Sequence, residues 1–271
     1  MRKMSNKLNV ILFVCFIFFC VDVTEVYSIQ LESDGASSRW LFERPIAHRG
    51  LHNNVYPENS IAAFNNAIKN NYPIELDLSL TKDNKVVVLH DQCLKRLTGD
   101  SRVIEDVLYN EIKNLKLLNS SESIPLFQDV LNIIDGKVPI LIEIKSCNRV
   151  MQLISETNKL LENYKGEYAI QSFDPVVIEW YAKNAPEVTK GILLKSIKDE
   201  IGLKTYNSII LNSYDKPDFI SIKLIEAEDQ KVKDLRRRGL PILTWTIRNN
   251  DEAFRVKKYS DNYIFEGILA R

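Results

Sequence analysis

Histidine, cysteine, glycine and proline are all scarce in this chain of 271 residues, at three, four, nine and nine. Two of the cysteines, Cys15 and Cys20, sit in an apolar N-terminal stretch, so only Cys93 and Cys147 remain beyond it. Two thiols make neither a disulfide framework nor a cysteine-rich zinc site, although they leave one disulfide or two free thiols open. Low glycine and proline fit an ordinary globular composition, and with no internal repeat, low-complexity tract or linker a single domain is expected. Excess charge is missing too: Lys+Arg and Asp+Glu are both 36. That balance removes the usual electrostatic ground for a nucleic-acid or anionic-membrane partner. The run Arg236-Arg237-Arg238 lies beside acids and reads as a solvated helix face ending at Gly239.

Also absent is an apolar run of the ~20 residues that span a bilayer. The fourteen residues Leu8–Val21 are almost wholly apolar and follow Arg2, Lys3 and Lys7. A charged start before a short apolar segment has the form of a secretory signal. Residues 1–28 are therefore expected to be a signal peptide cleaved after Ser28, with an uncleaved membrane anchor as the alternative. Either places the rest of the chain outside the cytoplasm, secreted or anchored, with membrane contact only through an uncleaved segment.

From residue 44 to 271 short apolar strands alternate with amphipathic helical stretches. Strands are expected at 45–50, 74–81, 85–91, 139–145, 168–173, 189–195, 218–224, 241–247 and 263–269. Helices are expected at 60–71, 101–118, 123–134, 149–164, 175–184, 198–211, 227–238 and 251–259. This alternation predicts right-handed crossovers and a parallel sheet. A count close to eight predicts the α/β class: a TIM (β/α)8 barrel of parallel strands, one domain after the signal segment.

In such a barrel, chemistry gathers where strands end. His48 and Arg49 end the first expected strand, Glu75 and Asp77 lie in the second, His90 and Asp91 end the third, and Glu143 and Lys145 end the fourth. Glu75 and Asp77, two apart, share a strand face. On their own they fit a half-buried strand with its polar side in water, and Glu143 with Lys145 fits a plain ion pair. Three carboxylates converging on one rim, however, repel unless protonated or neutralised by a cation. All-oxygen donors suit Mg²⁺ or Ca²⁺ better than zinc. Two imidazoles beside such a cation divide labour as proton acceptor and proton donor. Arg49, Lys145 and the cation would meet anionic oxygens, and these parts fit cleavage of a phosphate diester. His52 lies in the loop LHNNVYPEN and carries no comparable strand-end logic.

The segment 47–99 contains, in order, HRG, PEN followed by Ser, AF, E-x-D, TKD, HD and R-x-T. Further on come SIPLFQDVL (123–131), IEIK (142–145), QSFDP (171–175) and LTWTIRN (243–249). This ordered set resembles the glycerophosphodiester phosphodiesterases over nearly the whole chain beyond the signal. The resemblance implies a TIM barrel holding one divalent cation, Mg²⁺ or Ca²⁺. It implies hydrolysis of a small-molecule glycerophosphodiester to glycerol 3-phosphate and an alcohol. His48 and His90 would be the acid–base pair, and Glu75, Asp77 and Glu143 the metal ligands. Arg49 and Lys145 would contact phosphate, Trp245 would line the pocket, and Asn59 and Phe173 would support the site. The chain departs from the family at EGILAR (266–271), where a DGI-x-TD-like segment is usual; that leaves one side of the pocket open to question. Two other readings compete: a lipid-cleaving relative of the lysophospholipase D or sphingomyelinase D kind, and a catalytically silent binding barrel.

Overall fold

The strand called β2, Ile74–Leu80, is buried along its whole length, which its alternating sequence IELDLSL explains only if both faces are covered. Ile74, Leu76, Leu78 and Leu80 pack outward with Phe64 and Ala67 of the helix Ile61–Lys69, while Glu75, Asp77 and Ser79 occupy the opposite face. The same division runs around a closed barrel. The computed structural model of the protein describes residues 38–211 and 217–270. The expected signal, residues 1–28, lies outside them.

The strands are β1 (Ile46–Ala47), β2, β3 (Val86–Val88), β4 (Ile140–Ile144), β5 (Tyr168–Ser172), β6 (Lys190–Leu194), β7 (Phe219–Lys223), β8 (Ile242–Ile247) and β9 (Asn262–Phe265). All but β3 run parallel in the order β1-β9-β8-β7-β6-β5-β4-β2, and β1 also pairs with β2 through Ala47 and Ile74. That last pairing closes an eight-stranded TIM barrel. From Trp40 onward the chain forms one unit.

The expected third barrel strand is corrected. β3 pairs antiparallel with β2, Leu78 opposite Val88 and Leu80 opposite Val86, as the return arm of a hairpin outside the barrel. β4 takes the place beside β2. The link between β2 and β3 is five residues, Thr81–Lys85, with Asn84 at φ +60°; no crossover helix fits in that length. The expected helix at 101–118 is also corrected to a 3-10 turn at Ile104–Asp106 and one helical turn at Tyr109–Ile112. Ile104, Val107, Ile112 and Leu117 pack with Val87 and Leu89, an apolar spacing that imitates a helix face.

The barrel floor is apolar. Ile46, Leu141, Ala169, Phe219, Leu243 and Ile264 from six strands form one interior cluster, plugged below by Trp40 and Leu41. β6 contributes Gly191 there, because a Cβ at that position would stand 2.2 Å from the Phe219 ring. With the floor filled by apolar side chains, the interior acids Glu75, Asp77 and Glu143 lie above it. Among the described residues no helix is long and apolar enough to cross a membrane.

Candidate active site

The chain turns sharply where β1 ends. Arg49 (φ +53°) and Gly50 (φ +78°) are both left-handed, and a Cβ on Gly50 would press to 3.0 Å against Ala63 and the Phe64 ring. Glycine is thus required here, and the strained Arg49 is held by its contacts. Its backbone N–H donates to Glu75 Oε2 at 2.9 Å, and its carbonyl accepts from the Asn59 N–H at 2.9 Å. Asn59 is itself left-handed (φ +55°), and its Nδ2 donates to Asp77 Oδ2 at 2.8 Å. One residue on, Ser60 caps the helix Ile61–Lys69 by accepting from the Ala63 N–H. The HRG and PENS turns therefore fix the two carboxylates of β2 from above.

Register brings in the third acid. Asp77 stands opposite Glu143, and Glu143 opposite Gln171, so these side chains lie abreast on adjacent strands. Oxygens of Glu75, Asp77 and Glu143 come within 4.8 Å of one another, all three residues buried. Lys145 Nζ reaches Glu143 Oε1 at 2.5 Å and Asp77 Oδ1 at 2.9 Å, while Arg49 Nε lies 3.3 Å from Asp77 Oδ2. Two cations thus face three carboxylates. Burial, and then Asp77 and Glu143 nearby, hold the Glu75 carboxyl well above its ordinary value. Burial and Asp77 likewise push Glu143 up to about 7, against the pull of Lys145. Asp77 goes the other way: burial opposes its ionisation, but Lys145 and Arg49 together outweigh it and hold the carboxyl well below the usual range. The surplus negative charge is what a hard dication would neutralise, and the residues present fit one.

Each histidine is tied to a carboxylate. His48 Nδ1 lies 2.6 Å from Glu266 Oε2, and His90 Nδ1 lies 2.6 Å from Asp91 Oδ1. A carboxylate accepts, so each ring carries its proton on Nδ1 and keeps a lone pair on Nε2. Burial lowers both imidazoles below their ordinary pKa, against the pull of the neighbouring acids, and favours the neutral form.

Behind His90 runs a chain of ion pairs. Asp91 Oδ2 accepts from Arg96 Nε at 2.5 Å, Arg96 Nη2 donates to Glu58 Oε1 at 2.7 Å, and Glu58 Oε1 accepts from Arg49 Nη1 at 2.6 Å. This relay runs from His90 to the Arg49 side of the site. Sequence reasoning did not assign Glu58, Asp91, Arg96 or Glu266. Glu58 and Arg96 lie in the PEN and R-x-T motifs and Asp91 adjoins His90, so three of them had a local signal. Glu266 had only its place at the end of the last strand, in the segment where the sequence departs from the family.

The cleft above these groups has a volume of about 430 Å³. His48, Arg49, Glu75, His90, Glu143, Lys145, Phe173 and Trp245 all line it. Asp77 and Asn59 lie beneath the surface, at 0% and 1% exposure, with Asn59 holding the Asp77 carboxylate that completes the acidic cluster. Phe173 meets Trp245 edge to face at 5.7 Å, and Lys195 Nζ sits 5.3 Å above the Phe173 ring. The site thus has an apolar wall opposite its charged one. Cys93 and Cys147 are both free thiols, and burial pushes that of Cys147 up to about 11.

Residues 48–265 match the model of the glycerophosphoryl diester phosphodiesterase family. A glycerophosphodiester phosphodiesterase from Caldanaerobacter subterraneus is 30% identical over 228 residues, 79% of this chain and 89% of that protein. Human lysophospholipase D is 35% identical over 137 residues, 45% of this chain and 42% of that protein. Among solved structures, an Oleispira antarctica phosphodiesterase in complex with the product sn-glycerol-3-phosphate superposes with a TM-score of 0.73 at 20% identity. That likeness covers 83% of this chain and 93% of the other, and it establishes the fold.

Proposed function

Because the chain belongs to the glycerophosphoryl diester phosphodiesterase family and is a phosphoric diester hydrolase, we propose that it cleaves glycerophosphodiesters to glycerol 3-phosphate and an alcohol by two-histidine catalysis beside one divalent cation. The observation that carries the reading is the pair of imidazoles, each held through Nδ1 by a carboxylate, lining one cleft with Arg49 and Lys145. Glu75, Asp77 and Glu143 would hold the cation, whose chemistry is to stabilise negative charge on a phosphate oxygen. Arg49 and Lys145 bind and orient the phosphate. One Nε2 accepts the proton of the attacking hydroxyl, from water or from the substrate's own glycerol, and the other imidazole returns a proton to the leaving alkoxide. Glu266 and Asp91 keep the rings oriented and offset the imidazolium that forms. Phe173 and Trp245 pack against the carbon skeleton of the substrate. Action outside the cytoplasm belongs to the same proposal, on the character of residues 1–28; fractionation of expressing cells tests it.

The experiment follows glycerol 3-phosphate release from glycerophosphocholine with Mg²⁺, with Ca²⁺ and with chelator. Cation-dependent release that disappears in His48→Ala and His90→Ala is the expected result. Release that persists in either variant would overturn the two-histidine scheme. A second reading, cleavage of lysophospholipid, draws on the exposed Val55, Ile225 and Leu269, each of which follows the C-terminal end of a barrel strand. Faster turnover of lysophosphatidylcholine than of glycerophosphocholine would favour it.

A further inference from the structure

A second cluster of ligand-type side chains, centred on His48 of the cleft, shares no residue with the acidic one. His48, His52 and Glu266 each offer one ligand atom, and these atoms lie within 4.8 Å of one another. His48 Nδ1 and His52 Nε2 approach the same oxygen, Oε2, at 2.6 and 3.7 Å. The 3.7 Å separation is too long for a hydrogen bond, and His52 Nε2 is a buried nitrogen with no hydrogen-bond partner. It therefore aims an unused lone pair or proton at the carboxylate. All three residues are partly exposed, so an ion can approach the cluster from solvent; His52 Nε2 itself is buried and becomes a ligand when the cluster opens to admit the ion.

We propose that His48, His52 and Glu266 form an inhibitory site for a borderline transition-metal dication, zinc above all. Two imidazoles and one carboxylate are a ligand set that zinc takes in tetrahedral geometry, leaving a fourth position for water. Tetrahedral bonds of about 2.1 Å put ligand atoms about 3.4 Å apart. The 2.6 Å contact must open and the 3.7 Å one close by fractions of an ångström, with the two ring nitrogens brought to the same separation from within 4.8 Å. Besides Asp77, which acts on His48 from the acidic cluster, two cations face the site. Arg248 Nε holds the other carboxylate oxygen, Oε1, at 2.8 Å; its side chain is 60% exposed and free to swing outward. Arg49 follows His48 directly but is drawn away toward Glu58 and Asp77.

Binding would stop turnover whichever role His48 plays. Zinc on Nδ1 displaces the proton shared with Glu266 and leaves the single ring proton on Nε2. A ring in that state has no lone pair to accept a proton. To donate one it would have to become imidazolate, so it fits neither half of the cycle. The inhibitory half of this proposal rests on the two-histidine reading; the binding half does not.

The test uses the full chain and zinc alone as probe. Calorimetric titration compares wild type, His52→Ala, His52→Gln and the double variant Glu75→Gln/Glu143→Gln, in which the acidic cluster is disabled. Wild type and the double variant are expected to bind zinc at this site, with cobalt substitution giving the visible spectrum of a tetrahedral nitrogen–oxygen site. Both His52 variants should weaken that binding at least about 10-fold. With Mg²⁺ or Ca²⁺ saturating, zinc should inhibit wild type, and the inhibitory concentration should rise by the same factor in the His52 variants, whose activity without zinc stays near wild type. Absence of zinc binding in the double variant, unchanged affinity in both His52 variants, or stimulation by zinc would each overturn the proposal. If the protein hydrolyses no diester, the calorimetry and the cobalt spectrum still decide whether the site exists.

Discussion

Glu143→Gln should reverse its effect on stability according to whether the cation is present. In metal-free protein the Glu143 carboxyl is raised from 4.5 to about 7, by burial and by Asp77. A carboxylate whose folded pKa is raised opposes folding once the unfolded chain ionises. The penalty is absent below about pH 4, grows between 4.5 and 7, and is complete above 7. At 1.36 kcal/mol per pH unit it is under about 1 kcal/mol at pH 5 and about 3 kcal/mol at pH 8. Glutamine has nearly the same shape and keeps an oxygen for Lys145 Nζ, which retains Asp77 as its charged partner at 2.9 Å. Metal-free Glu143→Gln should therefore be more stable than wild type at pH 8, by up to about 3 kcal/mol, with the gap shrinking toward pH 5. Saturating cation reverses the order. At a thousand times the dissociation constant, wild type gains about 4 kcal/mol, which the variant largely forgoes. Urea unfolding of both proteins at pH 5 and 8, with chelator and with cation, measures all of this. If metal-free Glu143→Gln unfolds more easily than wild type at pH 8, the Glu143–Lys145 pair is a net stabiliser and the reasoning from carboxylate repulsion is wrong.

Other perturbations probe the orienting groups, the relay and the floor. Glu266→Gln should lower kcat on the order of 10²-fold with little change in KM, since an amide neither fixes the His48 tautomer nor offsets imidazolium; steady-state kinetics that show only a KM effect would refute this. Glu58 has its carboxyl below the ordinary value because Arg96 and Arg49 outweigh its burial. Its contribution is present above the unfolded pKa and disappears as pH falls through the folded one, so Glu58→Gln should cost about 2 kcal/mol at pH 7 and much less near pH 3 by urea unfolding. Gly191→Ala drives a Cβ to within 2.2 Å of the Phe219 ring. Thermal melts should show a loss of about 1–3 kcal/mol, recovered in part by Phe219→Leu in the double variant.

The barrel was legible because its strands differ from its helices in period, and the acids because a carboxylate amid apolar strand residues is costly without a purpose. Glu75, Asp77 and Glu143 meet on the face that alternation and register dictate. Misreading β3 as a barrel strand has a physical origin: KVVVLHD is as apolar as a parallel strand, and composition outweighed connection length. Five residues between β2 and β3 permit a hairpin and no crossover. His90 is consequently delivered to the rim by an antiparallel arm and braced through Asp91, Arg96 and Glu58.

What spacing along the chain could not reveal is the partner of His48. Glu266 lies 218 residues away, and no local pattern joins the two. They meet because β1 pairs with β9, Ala47 opposite Phe265, so the residues that next leave each strand emerge side by side. The contact that orients His48 is thus a consequence of barrel closure. Loosening the β1–β9 seam should disturb His48 before it disturbs His90, whose carboxylate is its own neighbour in sequence. Histidine NMR during a mild urea titration would show that order. Simultaneous change at both rings would mean that the Arg49–Glu58–Arg96–Asp91 relay binds the two sides of the site into one cooperative unit.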